Sequence, residues 1–244
     1  MNKIAIVTGA SKGIGAQIAR ALAKKNYFVI INYNNSEKAA NDLMNEINSN
    51  GGKSLVFKAD VSKLNEVEAM FSYVIAAFGK VDLLVNNAGI SEQKLFIDIT
   101  ESDLKRMTEI NYFGTFYCCQ LASKNMISNM NGKIINISSM WGQCGASMES
   151  HYAATKAAVI NLTKSLAKEL APSNITVNCI APGATETEMM FQLGDEIIES
   201  VKEETPLGRL AKKEEIAACV CFLASDEANY ITGETINING GAVI

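Results

Sequence analysis

Tyr152 and Lys156 stand four residues apart in "YAATK", a spacing that puts a phenol and an ammonium one turn apart on one face of a helix. A free phenol, with a pKa of ~10, exchanges protons poorly at neutral pH. Bringing it to ~7 takes about 4 kcal/mol of preferential stabilisation of the phenolate. One positive charge about 4 Å away, at an effective dielectric near 20, supplies about that amount. The pair is therefore a candidate acid and base, with the lysine expected to lower the phenol's pKa. A second candidate is "VTGASKGIG", Val7 to Gly15. Its glycines Gly9, Gly13 and Gly15 end an apolar run and open the amphipathic stretch "IGAQIARALAKK", where a tight turn would let a pyrophosphate approach free amides at a helix N-terminus. In a strand-turn-helix setting such a loop points to a dinucleotide.

The elements that must position these groups follow from the pattern of apolar runs. "KIAIVT", "YFVIINY", "SLVFKA", "VDLLVNN", "KIINIS" and "ITVNCIAP" are strand-length and rich in β-branched residues, and each leads into a stretch with helical apolar spacing. Strands that are apolar throughout belong in a parallel sheet covered on both faces, which predicts a doubly wound α/β fold in a single domain over residues 1–244. Ligands should gather at the carboxyl ends of the strands, where the Gly-, Ser- and Asn-rich segments fall.

The second strand bears on the cofactor. A site selective for NAD places an acid about 20 residues beyond the glycines, on the ribose 2′-hydroxyl. Here the strand ends "INYNNSEK", without an acid from Ile30 to Ser36. A 2′-phosphate would meet no repulsion there, and Lys12 and the Ser36 hydroxyl could hold it. The expected cofactor is NADP(H); the alternative is an NAD site served by Asn32 or Tyr33.

Composition limits the remaining classes. The 244 residues are 48% hydrophobic and 20% charged, enough for a sizeable core. A net charge of -4 gives no footprint for nucleic acid or an anionic membrane. The apolar run in "MNKIAIVTG" is too short for a signal peptide or a membrane span, so a cytoplasmic location is expected. Six cysteines without CxxC spacing read as reduced core thiols, and one histidine leaves a metal site without ligands.

"TGASKGIG", "ADV" at Asp60 and Val61, "NNAG" at Asn86 to Gly89, "NISS" at Asn136 to Ser139, "YAATK" and "IAPG" at Ile180 to Gly183 occur in the order of the motif series of the short-chain dehydrogenase/reductase family, which the chain resembles over nearly its whole length. The resemblance implies a Rossmann domain with a parallel seven-stranded sheet. It implies that Tyr152 protonates a developing alkoxide, that Ser139 hydrogen-bonds the carbonyl oxygen, that Lys156 also bonds the nicotinamide ribose, and that Asn111 in "EINYFG" holds a water linking Lys156 to solvent. It further implies a cofactor cradle of Gly9, Ser11, Lys12, Gly13, Ile14 and Gly15. Asp60 and Val61 would lie against adenine, and Asn87, Ala88 and Gly89 against the adenosine ribose and backbone. Pro182, Gly183, Thr185 and Thr187 would close over the nicotinamide. Residues 185–210 would form a mobile lid with Gly194 as its hinge and an apolar lining of Met189, Met190, Phe191 and Leu193.

Within the family, the similarity is strongest to β-ketoacyl-acyl-carrier-protein reductases, notably in "TPLGRLAKKEEIAACVCFLASDEANYITGETININGG", a tail that forms a tetramer interface in that group. A homotetramer acting on a ketone, with acyl carrier protein as partner, is the expectation. Two departures bear on it. Arginines that grip the acidic carrier protein there are matched here by Met130 and Ser173, leaving Lys124 or Lys133 to form any basic dock. The stretch "MWGQCGASMESHY" carries bulkier residues, Trp141, Met148 and His151, and resembles reductases that act on an aminopentanone-modified lysine of elongation factor P. There Trp141, Met148 and Met189 would touch substrate and Glu149 would face a cationic group. Another small-ketone or hydroxysteroid dehydrogenase and a non-catalytic NADP-binding sensor subunit are the further alternatives.

Overall fold

The computed structural model describes residues 2–192 and 194–244. Seven strands run in chain order: β1 (Lys3–Val7), β2 (Tyr27–Tyr33), β3 (Lys53–Lys58), β4 (Leu83–Asn86), β5 (Gly132–Ile137), β6 (Ile175–Pro182) and β7 (Thr235–Ile238). They form one sheet in the order β3-β2-β1-β4-β5-β6-β7, with every pairing parallel. The strand order reverses direction between β1 and β4, the crevice where open α/β sheets bind ligands. Near-continuous burial of the strands follows from helices covering both faces.

Among the described residues nine α-helices intervene: α1 (Gly13–Lys24), α2 (Glu37–Ser49), α3 (Leu64–Phe78), α4 (Glu101–Thr108), α5 (Gly114–Ser128), α6 (Ser150–Leu170), α7 (Glu188–Phe191), α8 (Asp195–Glu204) and α9 (Lys213–Leu223). The two faces of the sheet support separate cores. On one, Ile18 and Leu22 of α1 and Leu43 of α2 pack with Ile216 and Val220 of α9 against Val29 and Ile31. On the other, Val67 and Phe71 of α3 meet Cys118 and Met126 of α5 against Ile6 and Ile30. Adjacent strand residues Ile30 and Ile31 thus serve opposite cores, as the two-residue strand period requires.

One local feature departs from a plain helical reading of "EINYFG". Glu109–Phe113 forms a π-turn between α4 and α5, and Asn111 sits inside it, 1% exposed. Such single turns are found mostly where a functional group must be displaced from the regular ladder. The six cysteines are free thiols, three of them buried.

Candidate active site

The glycine loop links β1 to α1 and is held open as a cradle. Gly9 and Gly13 have φ of 59° and 60°, values that exclude most side chains. A Cβ on Gly15 would come within 2.4 Å of Asn87 Nδ2 and 2.6 Å of the Gly9 carbonyl oxygen. The first bond of the α1 ladder runs from Ala16 N to Lys12 O, so the amides of Gly13, Ile14 and Gly15 precede it. Lys12 at the N-cap supplies no side-chain acceptor. Three uncapped amides at a helix N-terminus suit a pyrophosphate. The residues present therefore fit a dinucleotide.

Several residues expected to touch the cofactor also shape this cradle. Asn32 is 1% exposed; its Oδ1 accepts from Gly9 N at 3.1 Å and its Nδ2 donates to Ala59 O at 2.9 Å. Asn87 Nδ2 donates to the carbonyls of Thr8 and Gly9, both at 3.0 Å. Their amide protons are spent on the protein. Sequence reasoning missed Thr8, whose buried hydroxyl oxygen accepts from Asn87 N and Ala88 N, both at 3.0 Å. A threonine directly before the first glycine was the available signal. Tyr33 is buried at the end of β2. Ser36, at the N-cap of α2, has a hydroxyl that caps nothing and is free to bind a ligand. Asp60 Oδ1 accepts from the amide and hydroxyl of Ser62, and Val61 packs against Gly114, where a Cβ would meet Val61 Cγ2 at 2.8 Å.

The proton-transfer groups meet at the ends of β4 and β5. Lys156 Nζ lies 5.6 Å from the centroid of the Tyr152 ring and donates to the Ile137 carbonyl at 3.0 Å. A Cβ on Gly89 would lie 3.2 Å from Asn111 Oδ1 and 3.3 Å from Lys156 Nζ, so the loop after β4 lies close against both side chains. Asn111 anchors that loop: Oδ1 accepts from Ile90 N at 2.8 Å, and Nδ2 donates to Ile90 O at 2.9 Å and to Thr155 Oγ1 at 3.2 Å. Ser139 caps a short 3-10 turn, its Oγ accepting from Trp141 N at 3.2 Å, which leaves the hydroxyl proton to donate. Ser138 donates to the Lys156 carbonyl at 2.8 Å. A Cβ on Gly142 would strike the Lys156 backbone at 2.8 Å, so glycine is needed there for α6 to reach its place.

The electrostatics correct the expectation that Lys156 lowers the phenol. Burial pushes Tyr152 up to about 12; a hydrogen bond with Ser139 opposes the rise and the charge of Glu149 adds to it. Burial pushes Lys156 down to about 8. Desolvation is the largest cause of both shifts. The phenol consequently holds its proton at neutral pH, the state a proton donor needs.

The family model described as Enoyl-(Acyl carrier protein) reductase matches residues 9–243. The chain is 44% identical over 241 residues to the 3-oxoacyl-[acyl-carrier-protein] reductase FabG of Staphylococcus aureus, covering 99% of this chain and 98% of that protein. The enzyme of the same name from Staphylococcus epidermidis is also 44% identical, over 99% of each chain. The 3-oxoacyl-[acyl-carrier-protein] reductase of Synechocystis is 40% identical, over 99% of this chain and 97% of its own. The chain belongs to the short-chain dehydrogenase/reductase family. It is an oxidoreductase that uses a nicotinamide cofactor.

The segments expected to face substrate in this short-chain dehydrogenase/reductase are two loops tied together. Lys94 N donates to Met148 O at 2.7 Å, and Ser91 Oγ donates to Glu149 Oε1 at 2.6 Å. Met148 is strained at φ 62° and 44% exposed, and Trp141 is half-buried. The base of the segment expected to form a lid is tied by backbone bonds from Glu186 N to Ala211 O and from Ala211 N to Ala184 O, both 2.9 Å. Pro182 ends β6; the following Gly183 admits Asn239, whose Cα a Cβ would meet at 2.8 Å. Thr185 Oγ1 donates to Gly183 O at 3.0 Å, and Thr187 caps α7, accepting from Met190 N at 3.3 Å. Gly194 has φ 90° at the start of α8. Phe191 is 57% exposed. The Met189 side chain and Leu193 lie outside the described residues. His151 is 3% exposed, with no hydrogen-bond partner for either ring nitrogen among the described residues. Among those residues no three His, Cys, Asp or Glu side chains could hold a metal ion, and no helix is long and apolar enough to cross a membrane.

Proposed function

We propose that the enzyme reduces a ketone to a secondary alcohol with NADPH, the substrate being a 3-oxoacyl group on acyl carrier protein, in cytoplasmic fatty acid synthesis. The observation that carries the reading is a half-buried phenol at Tyr152 that burial keeps protonated at neutral pH, with Lys156 Nζ 5.6 Å from its ring centroid. The nicotinamide, when bound, supplies the hydride. Ser139 donates its free hydroxyl proton to the carbonyl oxygen and orients it. Tyr152 then gives its proton to the oxygen as negative charge develops there, a transfer that is downhill to an alkoxide even from a phenol near 12. Lys156, charged below about 8, stabilises the phenolate left behind. Asn111 fixes the loop beside the ammonium.

The preference for NADPH is supported by Lys12, the uncommitted Ser36 hydroxyl and the acid-free end of β2. A homotetramer is supported by apolar side chains left uncovered in the single chain, Phe113 in the π-turn, Phe116 on α5, and Leu207, Tyr230 and Ile244 near the C-terminus. The carrier-protein dock has to be rebuilt. Met130 is 56% exposed in place of an arginine, and Lys133 is spent on the carbonyls of Ser225 and Leu223, leaving exposed Lys124. Glu149, whose charge reaches Tyr152, favours a second reading in which the ketone carries a cationic amine, as on a modified lysine of elongation factor P.

NADPH oxidation measured on acetoacetyl thioester, free and on acyl carrier protein, and on a panel of amino ketones separates the two. The first reading expects kcat/KM on the thioesters to exceed that on every amino ketone by at least about tenfold, or ~1.4 kcal/mol. The reverse order would overturn it in favour of the second. With Met130 and Ser173 uncharged, the carrier protein should add little, and that little should depend weakly on salt.

A further inference from the structure

We propose that Glu188 is a specificity-determining residue for the cofactor, acting as an internal competitor for Lys12 against the 2′-phosphate. The inference rests on the reading that Lys12 binds that phosphate. Lys12 ends the glycine loop in extended backbone, φ -154° and ψ 176°, with its side chain making no cap. Its Nζ lies 3.8 Å from Glu188 Oε2, with the two side chains 60% and 71% exposed. Glu188 is the first residue of α7, directly after Thr187, whose methyl carbon is the nearest atom to a Cβ placed on Gly13, at 3.9 Å. The start of the lid therefore rests on the glycine loop, and the ion pair spans the same junction.

At that separation the pair is a Coulombic contact without a hydrogen bond. An exposed pair of this kind changes an equilibrium by about two- to fivefold. A phosphate makes shorter, charge-assisted hydrogen bonds to an ammonium, so it displaces Glu188 at the cost of the pair. A cofactor ending in a 2′-hydroxyl has no phosphate to exchange for the carboxylate and leaves the pair intact. Glu188 thus weakens NADPH binding selectively and narrows the enzyme's preference between the two cofactors.

The test is direct binding, followed by cofactor fluorescence and calorimetry, of NADPH and NADH to the full chain as wild type, Glu188→Gln, Lys12→Met and the double variant. Glu188→Gln should tighten NADPH about two- to fivefold and leave NADH unchanged, and its effect should vanish in the Lys12→Met background, because the cycle isolates the pairwise part. Equal tightening of both cofactors, or an effect that survives without Lys12, would overturn competition in favour of a general field from the carboxylate. Weakened NADPH binding by Lys12→Met together with no response to Glu188→Gln would overturn the inference alone. No response to Lys12→Met would overturn the 2′-phosphate reading beneath it. Circular dichroism and melting of each variant exclude misfolding as the source of any change.

Discussion

Replacing Lys156 by methionine should abolish catalysis and stabilise the fold at neutral pH. The ammonium is 4% exposed and its pKa falls from 10.5 to about 8 because burial disfavours the charge. At 1.36 kcal/mol per pH unit, that difference makes the charged form cost about 3 kcal/mol in the folded state at pH 7. Methionine removes the charge but leaves the Ile137 carbonyl, now bonded at 3.0 Å, without its donor, at about 1 kcal/mol. The variant should therefore gain about 2 kcal/mol. The sign with pH follows from the depressed folded value. Below about 8 both folded and unfolded lysines are charged and the cost is complete; between about 8 and 10.5 the unfolded chain binds more protons, so wild-type stability rises with pH. Urea denaturation of both proteins without cofactor, at pH 7 and 9.5, reads the difference between them, which cancels the other titrating groups. An advantage of about 2 kcal/mol at pH 7 that falls to near zero at pH 9.5 is expected. A variant less stable than wild type at pH 7, with a difference independent of pH, would refute the buried charge.

Ser139→Ala should lower kcat by about 100-fold, since one donor to the developing oxyanion is lost, while NADPH affinity measured by fluorescence stays within about twofold; a matching loss of affinity would place Ser139 in cofactor binding instead. Thr8→Val leaves two amides that now bond its hydroxyl at 3.0 Å unpaired, and should cost about 2 kcal/mol or more in urea denaturation. An unchanged midpoint would show that the glycine loop does not depend on that hydroxyl. His151→Leu removes a buried ring whose nitrogens have no hydrogen-bond partner among the described residues and should raise stability by about 1 kcal/mol. A loss of that size would show that the imidazole is hydrogen-bonded in solution.

The βαβ alternation and the parallel sheet covered on both faces were legible because apolar runs and glycine-rich turns are local signals. Helical spacing put Tyr152 and Lys156 on one face, and the motif series along the rest of the chain was what singled them out. The electrostatics of the pair were not legible, because a pKa depends on how deeply each group is buried, which spacing does not encode. The same limit explains Asn32 and Asn87. Their types suited a ribose, yet contacts with Gly9, Ala59 and Thr8 across the fold claim their amides. Lys133 sits in a charged-looking position and is spent on carbonyls some 90 residues away in sequence. The π-turn at Asn111 left no mark in "EINYFG", because one extra residue in a helical turn preserves both composition and apolar content.

In the proposed reaction Tyr152 gives the proton to a carbonyl oxygen in a site that binds NADPH independently of it. This assignment is tested most directly by Tyr152→Phe, with NADPH oxidation measured on a β-ketoacyl thioester beside NADPH affinity measured by fluorescence. The account expects turnover below about 1% of wild type with affinity within a few-fold, because only a transition-state interaction is removed. Retained turnover with the phenylalanine would contradict the assignment of the proton donor, and a lost affinity would contradict the separation of binding from chemistry.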